Sequence, residues 1–165
     1  MIHQAKQVLS PGQIDQIMAM YRDSTNNVML NGEYQDRHYA STIGHFQISE
    51  FTTDEVSRFW PDVKNNIPVN TELVYARVLK YNRSCFIPKH VDSFASEYQQ
   101  ENDISVIIQL NDPNDYVGGL LLIGGKLQNM APGDMVLYTY EEEHEVKTVR
   151  RGTRYVLNLR CKSVK

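Results

Sequence analysis

The sequence predicts a mainly β fold, a double-stranded β-helix or jelly roll with N-terminal helices packed on its sheet, and three observations predict it. From Leu73 onward, short apolar stretches alternate with turn signals roughly every 8–12 residues, the rhythm of a sandwich or barrel. Two amphipathic stretches with helix-start signals precede them. No helical pattern interleaves with the strands, which rules against a parallel α/β sheet.

Taken in order, Ser10-Pro11 opens the first helix, with the serine as N-cap and the proline where its missing N–H costs nothing. Ile14, Ile17, Met18 and Tyr21 then form one buried stripe. Residues 24–50 are rich in polar residues and glycine, with short alternations at 28–30 and 43–48 that suit strands; His38 and His45 read as ordinary surface or core histidines. Thr52 with Glu55 makes a capping box for a second helix carrying Val56, Phe59, Trp60 and Val63. Pro61 should end or kink it near Trp60, and the lone tryptophan reads as a core anchor between helix and sheet.

Residues 72–81 alternate, with Leu73, Tyr75, Arg77, Leu79 and Tyr81 on one face and Val74, Ala76 and Val78 on the other. An arginine and two tyrosines on an otherwise inward face point to a polar cavity, whose substrate mouth Tyr75 and Arg77 are candidates to line. Residues 93–102 carry no period and read as a loop, whereas 104–110 is apolar enough for a strand buried on both sides. Turns follow at 112–115, at Pro132-Gly133 in type II form and at Arg151-Gly152, separating strands over 120–123, 135–140, 144–149 and 153–159.

With 165 residues, 41% of them hydrophobic and 22% charged, the chain suits a single domain, residues 1–165, with a helical part over about 1–70 and a jelly-roll core over about 71–162. A net charge of −3 gives no electrostatic reason to bind nucleic acid. Two cysteines, Cys85 and Cys161, read as plain buried thiols in a reducing compartment. The N-terminal residues lack a signal segment and no apolar run approaches membrane-spanning length, so a soluble, cytoplasmic protein is expected.

In the stretch 81–92, His90 and Asp92 lie two residues apart and point to the same side of an extended chain. Alone such a pair means little. His144 supplies a second imidazole, and two imidazoles with one carboxylate are the ligand set of a non-haem ferrous centre with open positions. Arg150, Arg151, Arg154 and Arg160 follow as rival guanidiniums.

The succession Tyr81, His90-Val91-Asp92, Leu110-Asn111-Asp112-Pro113, Gly118-Gly119, Ala131-Pro132-Gly133-Asp134, His144-Glu145-Val146 and Val149 through Arg154 resembles the 2-oxoglutarate and Fe(II)-dependent dioxygenases, a cupin-like fold family. Within them it is most similar to the prolyl 4-hydroxylase branch and its PKHD-type hydroxylases, over roughly residues 73–160. The resemblance implies that His90, Asp92 and His144 bind iron and that Arg154, at the family's spacing from His144, pairs with the distal carboxylate of 2-oxoglutarate. It also implies that Tyr81 hydrogen-bonds this cosubstrate, with Gln109 and Asn158 as further contacts. The implied reaction hydroxylates a carbon of a prolyl residue in a peptide or protein, releasing succinate and CO2, with ascorbate as reductant. Family members often carry a basic residue just before the strand that starts here at Ile104, whereas this chain has Glu101-Asn102-Asp103, so substrate docking is expected to differ. A free amino acid or other small molecule is the alternative substrate, and a non-catalytic, cupin-like metal-binding jelly roll is the rival reading of the whole.

Overall fold

The computed structural model describes residues 1–25, 27–34, 42–92 and 103–164. Its main sheet has seven strands, paired antiparallel in the order β1 (Ile2–Ala5), β10 (Met135–Thr139), β6 (Ile104–Gln109), β13 (Arg154–Ser163), β4 (Thr71–Tyr81), β3 (Thr42–Phe51) and β2 (Asn27–Tyr34). A four-stranded sheet opposes it: β5 (Ile87–His90), β11 (His144–Val146), β8 (Leu121–Ile123) and β9 (Lys126–Leu127). A short ladder of β7 (Tyr116–Gly118) and β12 (Val149–Gly152) stands beside them. This is the predicted double-stranded β-helix, with helices on its outer face.

Alternation along the strands sorts the large sheet's apolar residues into two cores. Val78, Val106, Ile108, Leu137, Leu157 and Leu159 turn outward to meet Ile14, Ile17 and Tyr21 of α1 (Pro11–Asp23), Val56 of α2 (Thr53–Val56) and Val63 of α3 (Trp60–Lys64). Their neighbours Leu79, Ile107, Val136 and Val156 turn inward, against Ile87, Leu121, Ile123 and Val146 of the small sheet. β6 is therefore buried on both sides, as its composition predicts.

Both helix starts are capped as read: Ser10 exchanges hydrogen bonds with Gln13, and Thr52 with Glu55. The second helix differs. It stops at Val56, and Pro61 sits in the first turn of a new helix starting at Trp60, where a missing N–H is tolerated. The stripe survives the break: Val56, Phe59 and Val63 are buried, and Trp60 packs on the same core.

Three further differences have local causes. The N-terminal part holds β2 and β3 where the alternations at 28–30 and 43–48 suit strands, but also β1, which is too short to show a period. Leu73 does not share a face with Tyr75: Tyr75 pairs with Arg160 but Leu73 with Cys161, so Val74 is one residue too many and the alternation resets. Arg150 and Arg151 lie in β12, opposite β7, rather than in a turn. Cys85 and Cys161 are free and buried. His38 and the expected loop over 93–102 lie outside the described residues. Among those described, no helix is long and apolar enough to cross a membrane.

Candidate functional site

β5 ends at His90 and β11 begins at His144, and these two residues are direct partners in the antiparallel ladder. Their rings stand 4.2 Å apart, centre to centre. Asp92, just past the end of β5, turns its Oδ1 to 3.7 Å from His90 Nε2 and 3.6 Å from His144 Nε2. Among the described residues these three form the one such group, their ligand atoms all within 4.8 Å of one another. Ligand atoms sharing one ion at bonds of about 2.1 Å sit roughly 3–4 Å apart, so the donor set fits a single divalent cation.

The other ring nitrogens fix the orientation. His90 Nδ1 lies 2.8 Å from the carbonyl of Pro88 and His144 Nδ1 lies 2.8 Å from that of Glu142, each two residues back. With Nδ1–H donated to a carbonyl, each Nε2 is left with a free lone pair toward Asp92, the tautomer a metal ligand requires. Burial pushes the pKa of His144 down to about 4, against the pull of Asp92, so its imidazole is neutral at ordinary pH. For Asp92 burial opposes ionisation, but Arg160 first and then His144 and His90 outweigh it and hold the carboxyl below its usual range.

The three residues line a cavity of about 40 Å³ that continues along the inner face of β13 and β4. Arg154, Val156, Asn158 and Arg160 contribute alternate positions of β13, and Arg77, Leu79 and Tyr81 those of β4. Arg154 is thus in the same cavity as the triad, 2% exposed, with its guanidinium carbon 5.3 Å from the centre of the Tyr81 ring. Burial pushes the Tyr81 phenol up to about 12, with Arg154 pulling the other way, so it stays a neutral hydroxyl. A buried guanidinium and a candidate cation site lining one cavity suit a short dicarboxylate.

Gly119 makes this placement sterically feasible, while Gly118 admits the close approach of the Thr148 carbonyl. Both have positive φ, and a Cβ on Gly119 would lie 3.3 Å from Arg154 Cδ and 3.0 Å from Val149 Cγ2. The turn after them is the predicted type II: Gly133 has φ +88 and Asp134 N–H donates to the Ala131 carbonyl at 3.0 Å. The Asp134 carboxylate accepts from Gln7 N at 3.0 Å, Ala131 N at 2.9 Å and Lys6 Nζ at 2.8 Å, tying the N-terminal segment to the barrel.

Not every residue named from the sequence joins the triad's cavity. Gln109 lines an adjoining cleft of about 490 Å³, which Arg154 also borders, and its Nε2 donates to the Asn111 carbonyl at 2.9 Å and the Tyr116 hydroxyl at 3.0 Å. Asn158 lies inside, accepting from Arg77 Nε at 2.9 Å. Arg77 is buried, head included, and its guanidinium carbon is 5.7 Å from the centre of the Tyr75 ring.

By residue type alone Arg160 is a rival to Arg154. It is instead hydrogen-bonded to Asp92 Oδ2 and to the Ser105 hydroxyl. Tyr138, also missed, borders the same cavity 4.5 Å from the His144 ring, and burial with the Asp92 charge raises its pKa. The sequence carries one signal for Arg160: it falls an even number of residues after Arg154, on the face that also bears Val156 and Asn158, with Tyr155, Leu157 and Leu159 opposite.

A family model described as the 2OG-Fe(II) oxygenase superfamily matches residues 76–159. A PKHD-type hydroxylase of Pseudomonas putida is 30% identical over 122 residues, covering 68% of this chain and 54% of the relative. One from Hyphomonas neptunium is 38% identical over 69 residues, 39% of this chain and 30% of the relative. The chain therefore spans about half, or less, of the length of these curated relatives. Among solved structures, a Pseudomonas putida prolyl-4-hydroxylase matches with a TM-score of 0.69 at 17% identity, over 99% of this chain and 93% of the other. The non-heme alpha ketoglutarate dependent epimerase SnoN from nogalamycin biosynthesis matches at 0.73 with 14% identity, over 98% and 77%. Identities this low speak to a shared fold.

Proposed function

Because the chain belongs to the 2OG-Fe(II) oxygenase superfamily, we propose that it uses Fe(II) and 2-oxoglutarate to hydroxylate a carbon of its substrate, a prolyl residue of a peptide or protein. Residues 1–165 act as one dioxygenase domain, with ascorbate as the reductant that keeps the metal ferrous. The observation that carries this reading is the convergence of His90, Asp92 and His144 on one point, in a cavity that also holds a buried Arg154. The names of the PKHD-type relatives and of the prolyl-4-hydroxylase neighbour support the substrate class. The two free, buried thiols accord with a reducing cytoplasm.

In this reading His90 Nε2, His144 Nε2 and Asp92 Oδ1 would hold the cation. Arg154 takes the distal carboxylate of 2-oxoglutarate in a two-point pair and orients the molecule along the cavity. Tyr81 flanks that carboxylate with a hydroxyl that burial keeps neutral. Leu79, Leu121, Val146 and Val156 exclude water from the space between. Bound there with dioxygen, the metal and cosubstrate supply oxidative decarboxylation to succinate and CO2, coupled to insertion of one oxygen atom into a substrate C–H bond.

The test is direct. Purified protein with Fe(II), ascorbate and 2-oxoglutarate is incubated with proline-containing peptides, and succinate release is followed alongside the peptide mass. Gain of one oxygen on proline supports the full proposal. Gain on a free amino acid or small metabolite instead would move the substrate and keep the chemistry, and failure to bind 2-oxoglutarate in the presence of metal would remove both.

A further inference from the structure

Asp92 divides its two oxygens between different neighbours. Oδ1 is the atom nearest the imidazoles, 3.7 Å from His90 Nε2 and 3.6 Å from His144 Nε2. Oδ2 accepts from the Arg160 guanidinium and, at 3.4 Å, from the Ser105 hydroxyl, which Arg160 also contacts. Asp92 lies beyond the last residue of β5, so no ladder partner fixes its side chain. Arg160, in contrast, is held on both sides: β13 pairs it with Ser105 of β6 and with Tyr75 of β4. It is 5% exposed. The reset at Val74 falls immediately beyond it.

We infer that Arg160 is the positioning residue that makes Asp92 present a single oxygen to the cation site. The inference rests on the metal site proposed above. A carboxylate binds a hard cation through one oxygen or through both. Two-point binding would occupy a position that the triad must leave open for cosubstrate or dioxygen. With Oδ2 committed to a planar guanidinium anchored in the large sheet, the carboxylate cannot turn its second oxygen to the cation without breaking that pair. The charge of Arg160 by itself repels a dication, so attraction is not what it adds. Its contribution is direction, as with other hydrogen-bonding partners of metal-bound carboxylates.

The experiment uses the metal-free protein with Mn(II) and with Co(II), in the absence of cosubstrate. Wild type, Arg160→Met, Arg160→Lys and Ser105→Ala are compared for Mn(II) affinity and for the visible spectrum of bound Co(II), which reports ligand number. Cooperative thermal unfolding of each variant establishes that it is folded. Arg160→Met is expected to weaken Mn(II) binding about tenfold or more and to change the Co(II) spectrum. Arg160→Lys, which keeps the charge and loses the fork, should fall between, and Ser105→Ala should shift the same way by less. An Arg160→Met protein that binds Mn(II) as tightly as wild type or tighter, with the same Co(II) spectrum, would overturn the inference. Should Arg160→Met fail to fold, Arg160→Lys and Ser105→Ala decide: an unchanged spectrum and affinity in both overturns it. A wild-type protein that binds neither ion would remove the metal site itself, a result distinct from a site that ignores Arg160.

Discussion

Arg154 and Tyr81 are direct partners across the β13–β4 ladder, and the guanidinium of the first lies 5.3 Å from the ring centre of the second. The pairing places a permanent cation and a neutral hydroxyl side by side at a buried end of the cavity. Arg154→Ala should therefore abolish tight binding of 2-oxoglutarate while metal binding is retained. Removing one partner of a buried charged pair costs about 2–5 kcal/mol, or roughly 30- to several-thousand-fold in Kd. Arg154→Lys should lose less, and Tyr81→Phe about 1 kcal/mol. Titration calorimetry with Mn(II) and 2-oxoglutarate reads all three, and equal affinity in Arg154→Ala would detach that residue from the cosubstrate.

His90→Ala, Asp92→Ala and His144→Ala should each reduce metal-dependent succinate formation to background, since in the proposed site these three side chains are the metal's ligands among the described residues. Succinate measured with and without added Fe(II) checks this. Undiminished turnover in any one variant would take that side chain out of the ligand set.

The two adjacent glycines should separate stability from binding. A Cβ on Gly118 would lie 2.2 Å from the Thr148 carbonyl oxygen, whereas on Gly119 the nearest atoms belong to side chains, Arg154 among them. Gly118→Ala is expected to lower Tm more, and Gly119→Ala to weaken 2-oxoglutarate binding more. Each also carries the cost of positive φ on a non-glycine residue, about 1–2 kcal/mol. Thermal melts and calorimetry on the pair test the ordering.

Asp134 makes a pH prediction. Burial works against its ionisation, but hydrogen bonds from Lys6, Ala131 and Gln7 prevail and hold its carboxyl below the usual range. The stabilisation from this group is thus complete above the unfolded-state value, near 4, and fades as pH falls through the lower folded-state value. Asp134→Asn should cost about 2 kcal/mol at pH 7 by urea unfolding. The gap to wild type should shrink under acid; a gap that held constant down to pH 2 would mean that the charge plays no part.

Much of the architecture was legible because it is periodic. The N-cap at Ser10, the capping box at Thr52, the doubly buried β6 and the turn at Gly133 all rest on local chemistry that the sequence spells out. The grouping of His90, Asp92 and His144 followed from residue type and order, and the structure brings them within reach of one ion. What escaped was non-local or too brief to carry a period. β1 is four residues at a sheet edge, recognised only by its partner β10. Gln109 shares the barrel wall with Arg154, yet its amide is engaged by Asn111 and Tyr116, which no alternation rule reveals. Arg160 meets Asp92 across a separation of 68 positions, so only the folded sheet shows the contact.

The extra residue at Val74 sets a limit on which parts of the two central strands can be moved as a unit. From Tyr75 to Tyr81 and from Arg154 to Arg160 the register is continuous; beyond Tyr75, toward Leu73, the inward and outward positions of β4 exchange. Grafting this wall onto another barrel would require those two seven-residue pieces in their existing offset. A host strand lacking the supernumerary residue would have to absorb the exchange elsewhere, or present Leu73 to the interior.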